Sequence, residues 1–203
     1  MERYSRSGRG RTRQQIAAQE TKRAIVEGAT RLFGTRGYHA TSLGLIASEA
    51  GVAVQTIYNS VGSKRDVLSA VLDLAAAGEG APVFSEPDPR RIIARLVEFW
   101  RGSLPRTARL LRVVGEAAAA DPEGAALERA RNGRELRGCA DVARLLADRG
   151  ALRTGLSVDH GAAAIFAIGH PETYRTLVLE GTWEGERWSA WARAALEAAL
   201  LQS

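Results

Sequence analysis

Between Gly51 and Leu68 the chain reads GVAVQTIYNSVGSKRDVL. Two amides, two hydroxyls and an ammonium group, on Gln55, Thr56, Tyr58, Asn59 and Lys64, fall within ten residues of one another. Gln and Asn can pair bidentately with the edge of adenine, and an apolar Val54 can touch a thymine methyl. The hydroxyls of Thr56 and Tyr58 can reach phosphates. Lys64 stands in the first turn of a helix, where the dipole disfavours a cation unless an anion docks there. The chemistry on offer is therefore the reading and gripping of a polyanion.

Charge supports that polarity. Residues 1–73 hold 11 Lys/Arg and 6 Asp/Glu, whereas residues 74–203 hold 17 of each. All of the net +5 lies in the first third, with both lysines, Lys22 and Lys64. A basic module joined to a neutral one suits a nucleic acid on the first and something else on the second. At 25% charged and 45% hydrophobic the composition is that of a globular protein. With Cys139 alone, neither an intrachain disulfide nor a cysteine zinc cluster can form. No apolar leader or membrane-length run occurs, so a cytoplasmic protein with no membrane association is expected. Nothing in the sequence asks for a metal or a cofactor.

The elements that position these groups read as all-α. Residues 1–18, rich in Arg, Ser and Gly, are expected to form a flexible basic arm. Helical periodicity begins near Glu20 and places Ile25, Ala29, Leu32 and Phe33 on one face, with a stop at Arg36-Gly37. Thr41 or Ser42 caps a second helix reaching Ala50. Gly51 turns the chain, and a third helix covers about 53–60, with Ile57 inward. Ser63 and Asp66 have the spacing of a capping box at the start of a fourth helix, whose inner stripe is Val67, Leu68, Val71 and Leu72. Helix, Gly turn and helix between Thr41 and Ser60 have the dimensions of a helix-turn-helix.

A Gly- and Pro-containing stretch at 78–89 marks a boundary. The organisation expected is an arm (1–18), a helix-turn-helix domain (19–77) and a second helical domain (78–203). In the last, Asp88-Pro89 opens a helix, Pro105 starts a further segment, and Asp121-Pro122 opens a long helix. Pro171 ends or kinks an apolar helix at His170. Phe99, Trp100, Leu111, Phe166, His170 and Tyr174 are the residues expected to face a pocket. Trp183, Trp188 and Trp191 cluster near the C-terminus.

The stretch TSLGLIASEAGVAVQTIYNSVGSKRDVL, with the preceding RGY, resembles the DNA-binding signature of the TetR family of bacterial repressors. The likeness covers residues 20–73. It implies that residues 78–203 form a ligand-binding and dimerisation domain, with Trp183, Trp188 and Trp191 at the dimer seam or its edge. It implies too that the homodimer sets two recognition helices on a palindromic double-stranded DNA operator, regulated by a small-molecule effector. It also implies phosphate contacts from Thr41, Ser42, Tyr58 and Lys64, and base-side contacts from Gln55, Thr56 and Asn59. The chain departs from the pattern at Ala53, where Ser is usual, at Val61, where an aromatic is usual, and at Gly44 and Leu45, where charges are common. Arg3, Arg6, Arg9, Arg11 and Arg13 are expected to compensate along the minor groove or backbone. Two other readings stay open: a helix-turn-helix that contacts protein, and a small all-α enzyme using His170 and Glu172.

Overall fold

The computed structural model describes residues 13–77, 86–120 and 122–202. Arg3, Arg6, Arg9 and Arg11, most of the boundary stretch and the cap at Asp121 lie outside the described residues. The fold is all-α, 82% helical, with one isolated bridge between Leu152 and Leu201 and no strand among the described residues.

Helix α1 spans Arg13–Arg36. It begins a full two turns before the expected start. Apolar spacing marks only the stretch that is buried, at Ile25, Val26, Ala29 and Phe33. Upstream, RQQIAAQE consists mostly of good helix formers and continues the helix in the open. Gly37 closes α1 with φ of 79°, a left-handed conformation that favours glycine. Helix α2 (Leu43–Ala50) is capped by Ser42, whose Oγ accepts from the Leu45 N–H. Gly51, at φ of 68°, turns the chain into α3 (Val54–Ser60), which lacks a side-chain cap at Ala53. Helix α4 (Lys64–Ala76) opens with the capping box: Asp66 accepts from the Ser63 N–H, and Ser63 Oγ accepts from the Asp66 N–H.

Helix α5 (Pro89–Ala120) starts at the expected Asp88-Pro89 signal, with Asp88 Oδ1 accepting from the Arg90 N–H. It then runs 32 residues straight through Pro105, where a new segment was expected. A helix-interior proline costs about 3 kcal/mol. Buried side chains on both sides of it, Ser103 and Leu104 before and Thr107 and Ala108 after, hold the helix together. Helices α6 (Pro122–Asp148), α7 (Val158–Gly169), α8 (Pro171–Tyr174) and α9 (Gly185–Leu200) complete the fold. A π-helical turn, Arg175–Leu179, extends α8.

Two apolar clusters result. One joins Ile25, Phe33, Ile46, Ile57, Leu68 and Val71 of α1 to α4. The other lies among α5, α6, α7 and α9 around Ile93, Leu146, Ile165, Trp188 and Leu196. Helix α5 serves both: Ile92 to Ala108 enter the second cluster, and Leu110, Val113, Val114 and Ala117 enter the first. Trp188 is fully buried, edge-on to Trp100 and Tyr174 with ring centroids 6.3 and 5.3 Å away. It is a core residue of its own protomer, not a seam residue, because its side of α9 faces α5 and the turn at Tyr174. Trp183 and Trp191 pair edge-on at 5.7 Å and stay half-buried.

Candidate nucleic-acid interface and ligand cavity

Fully buried Ile57 anchors α3 on the first cluster, and Ile46 does the same for α2. That fixes which face of α3 looks out. Tyr58 is 52% exposed and Val54 38%, with Gln55 and Asn59 exposed beside them. Gln55 Nε2 donates to Asn59 Oδ1 at 3.1 Å, one helical turn on. This leaves the Gln55 oxygen as an acceptor and the Asn59 amide as a donor on one edge, the pattern that an adenine edge complements. Thr56 is half-buried at the border of that face.

Ser42 is exposed, and its capping bond uses only an oxygen lone pair, so the hydroxyl proton can still be donated. Thr41 differs from the expectation. It is fully buried, and its Oγ1 donates to the Gly37 carbonyl at 2.8 Å. A phosphate cannot reach that hydroxyl; its work is to close the turn between α1 and α2. Lys64 Nζ lies 4.0 Å from the Tyr38 ring centroid. Burial lowers the Lys64 pKa, and the Glu116 carboxylate opposes that shift.

Glu116, far along α5, was not legible as part of this surface. Its carboxylate accepts from the Tyr38 N–H at 2.6 Å, pairs with Arg112 and is also bonded by the His39 N–H. These bonds, that of Tyr38 N–H first, hold its pKa below the usual carboxylate range. Helix α5 thereby grips the turn that carries Tyr38 and His39 and, through the Tyr38 ring, orients Lys64. A partner 78 residues away leaves no local signal. Replacing Lys64 with alanine is expected to weaken binding to every duplex alike and to lower the salt slope by about one. Titration of a specific and an unrelated duplex at several salt concentrations checks it. Stability should fall by about 1 kcal/mol, since Lys64 is half-buried and a cation–π contact is worth about 0.5–1 kcal/mol when exposed and about 2 when desolvated.

The second cluster encloses a cavity of about 340 Å³ between α5, α6 and α7. Phe99, Trp100, Phe166 and His170 line it, as do Ser103, Thr107, Glu135 and Cys139. Leu111 does not; it borders a separate groove with Arg109, Arg112 and Arg175. Tyr174 does not either, being buried against Trp188. Gly169 lets the wall close, since a Cβ there would overlap the Trp100 ring. His170 Nδ1 accepts from the Glu172 N–H at 3.1 Å, which places the ring proton on Nε2. Desolvation lowers the His170 pKa, so the ring is neutral at pH 7. Glu172, offered above as its acid–base companion, is exposed and tied to Arg175. Burial, with Glu135 nearby, pushes the Cys139 thiol up to about 12. Ala76, in the last turn of α4, also lines the cavity.

Among the described residues, no group of three His, Cys, Asp or Glu could hold a metal, and no helix is long and apolar enough to cross a membrane.

The sequence profile for "Bacterial regulatory proteins, tetR family" matches residues 25–71. The HTH-type transcriptional regulator AcrR of Shigella flexneri is 41% identical over 63 residues, which is 31% of this chain and 29% of AcrR. The chain thus matches under a third of that relative's length. Among solved structures, a protein assigned as a transcriptional regulator from Saccharomonospora viridis, in complex with choline, is 25% identical with a TM-score of 0.70. The alignment covers 91% of this chain and 100% of that one. A protein assigned to the TetR family from Mesorhizobium loti MAFF303099 shares the fold at 21% identity and a TM-score of 0.64, covering 93% and 97% of the two chains.

Proposed function

We propose that this chain, which belongs to the TetR family of bacterial regulatory proteins and is a transcriptional regulator, acts as a cytoplasmic homodimeric repressor. It binds a palindromic operator through α3 and is released when a small molecule enters the cavity. It has no catalytic role. Gln55 and Asn59 supply the reading face, with Val54 and Thr56 at its margin. Ser42, Tyr58 and Lys64 hold phosphates. Phe99, Trp100, Phe166 and His170 contact the effector.

One observation carries this reading: a single helix, α4, begins at the phosphate-side Lys64 and ends with Ala76 in the cavity wall. The end of α4 is held by α5. Arg106 Nε donates to the Ala75 carbonyl at 3.2 Å, and Nη2 donates to the Ala77 carbonyl at 2.5 Å. The guanidinium satisfies carbonyls that a helix C-terminus otherwise leaves open. A molecule that displaces Ala76 acts on the turn that Arg106 clamps. Two recognition helices must stand about 34–36 Å apart to meet successive major grooves. An effector that binds better when they are spread weakens operator binding by its differential affinity, typically about 1–3 kcal/mol. The S. viridis regulator, crystallised with choline, supports small-molecule binding by this fold.

The test is selection of binding sites from genomic DNA, followed by titration of the best site at several salt concentrations. The expected result is a palindrome with half-sites one helical turn apart and a steep linear fall of log K with log salt. Weak binding indifferent to sequence, with no palindrome recovered, would sink the repressor reading.

A further inference from the structure

The cavity has a polarity as well as a shape. Its volume of about 340 Å³ is at the lower end of small-molecule sites, roughly 300–1,000 Å³. Three aromatic rings, Phe99, Trp100 and Phe166, stand in its wall. Its hydroxyl and carboxylate oxygens offer only lone pairs. Ser103 Oγ donates its proton to the Phe99 carbonyl, and Thr107 Oγ1 donates to the Ser103 carbonyl. Both hydroxyls are then left with lone pairs alone to offer a ligand.

Among the described residues, Glu135 supplies the one formal charge in the wall. Its Oε1 accepts from Arg131 Nη1 at 2.6 Å. Arg131 is only 8% exposed and is not part of the cavity wall, whereas Glu135 is. The ion pair therefore presents its negative end inward. Among the described residues no Arg or Lys lines the cavity, and His170 enters as a neutral ring with a single donor, Nε2–H. Aromatic π-systems, hydroxyl lone pairs and a carboxylate together attract positive charge. An anion would meet the Glu135 carboxylate first, with the Arg131 guanidinium behind it and outside the wall.

We infer that the effector of this cavity is a small monovalent organic cation with an apolar body, an amine or quaternary ammonium, held by Glu135 and the rings of Phe99, Trp100 and Phe166. This rests on the reading of the cavity as the effector site. Glu135 is a specificity-determining residue for charge, and the rings accommodate the body.

The test uses three probes with one benzyl body on the full chain, by calorimetry: benzyltrimethylammonium, its uncharged carbon isostere neopentylbenzene, and phenylacetate. The cation is expected to bind at least about tenfold more tightly than the isostere, the scale of one charge-assisted contact, and phenylacetate not to compete. In Glu135→Gln the preference for the cation should vanish while the isostere still binds. The probe series on the unaltered chain keeps the result independent of how well that variant folds. Equal or tighter binding of the isostere, binding of phenylacetate, or no binding of any probe overturns the inference. Adding each probe to an operator complex separates the two ideas. A cation that binds through Glu135 but leaves DNA bound supports the assigned class and sinks the effector reading. Release by the isostere or by phenylacetate sinks the class and keeps the effector reading.

Discussion

Replacing Trp188 with alanine is expected to cost about 3–5 kcal/mol of stability, the range for deleting a large buried aromatic side chain. At ~2–4 °C per kcal/mol for a chain of this size, the midpoint of thermal unfolding should fall by roughly 6–20 °C. Trp188 has no solvent exposure and braces both Trp100 and Tyr174. The loss should reach the cavity, because Trp100 is part of its wall. Trp188→Phe should be much milder. It keeps an aromatic ring, and it removes an indole N–H that has no hydrogen-bond partner among the described residues. Orphaned buried donors cost about 1–3 kcal/mol, which offsets part of the lost volume. Thermal and denaturant unfolding, followed by circular dichroism, measures both variants. A Trp188→Ala protein as stable as the parent, but monomeric, would restore Trp188 to a subunit seam.

Alanine at Gln55 or at Asn59 is expected to weaken binding to the selected operator by about 1–3 kcal/mol, or roughly 5- to 150-fold, per lost base contact. Binding to unrelated duplex and the salt slope should hardly change, since neither side chain is charged. The effects should be non-additive. The two amides bond each other at 3.1 Å, so removing one frees the other to change rotamer. A double-mutant cycle on the best site, repeated on random duplex, measures this. Equal loss on both duplexes would mean that the pair touches backbone rather than bases, and the reading face would then reduce to Val54 and Thr56.

Much of this architecture was legible in sequence because its determinants are local. The Ser63–Asp66 box, the Gly51 turn, the Asp88-Pro89 start and the stop before Pro171 depend on residues within a few positions of each other. The exposed side of α3 followed from knowing that Ile57 points inward. What escaped depends on distant partners. Periodicity could not find the first turns of α1, since a helix that buries nothing has no apolar stripe. Pro105 reads as a break until buried neighbours on both sides outweigh it. The Thr41 hydroxyl looks free until the Gly37 carbonyl is seen beneath it. In the cavity, aromatic residues announced themselves by type. Glu135, Ser103 and Thr107 look like ordinary helix surface, and only the meeting of α5 with α6 and α7 turns them inward.

The path of α5 limits how this protein can be taken apart. Its first half completes the core of the C-terminal bundle, and Leu110, Val113, Val114 and Ala117 complete the core beneath α3. A fragment ending at residue 77 would leave the core beneath α3 open along one side. Chimeras that join the head of one regulator to the sensor of another would do better to exchange at the 78–85 stretch only if the donor's α5 carries matching apolar residues in its last three turns and a carboxylate at the position of Glu116. Swaps that ignore this seam would yield hybrids whose head is loosely seated and grips DNA poorly.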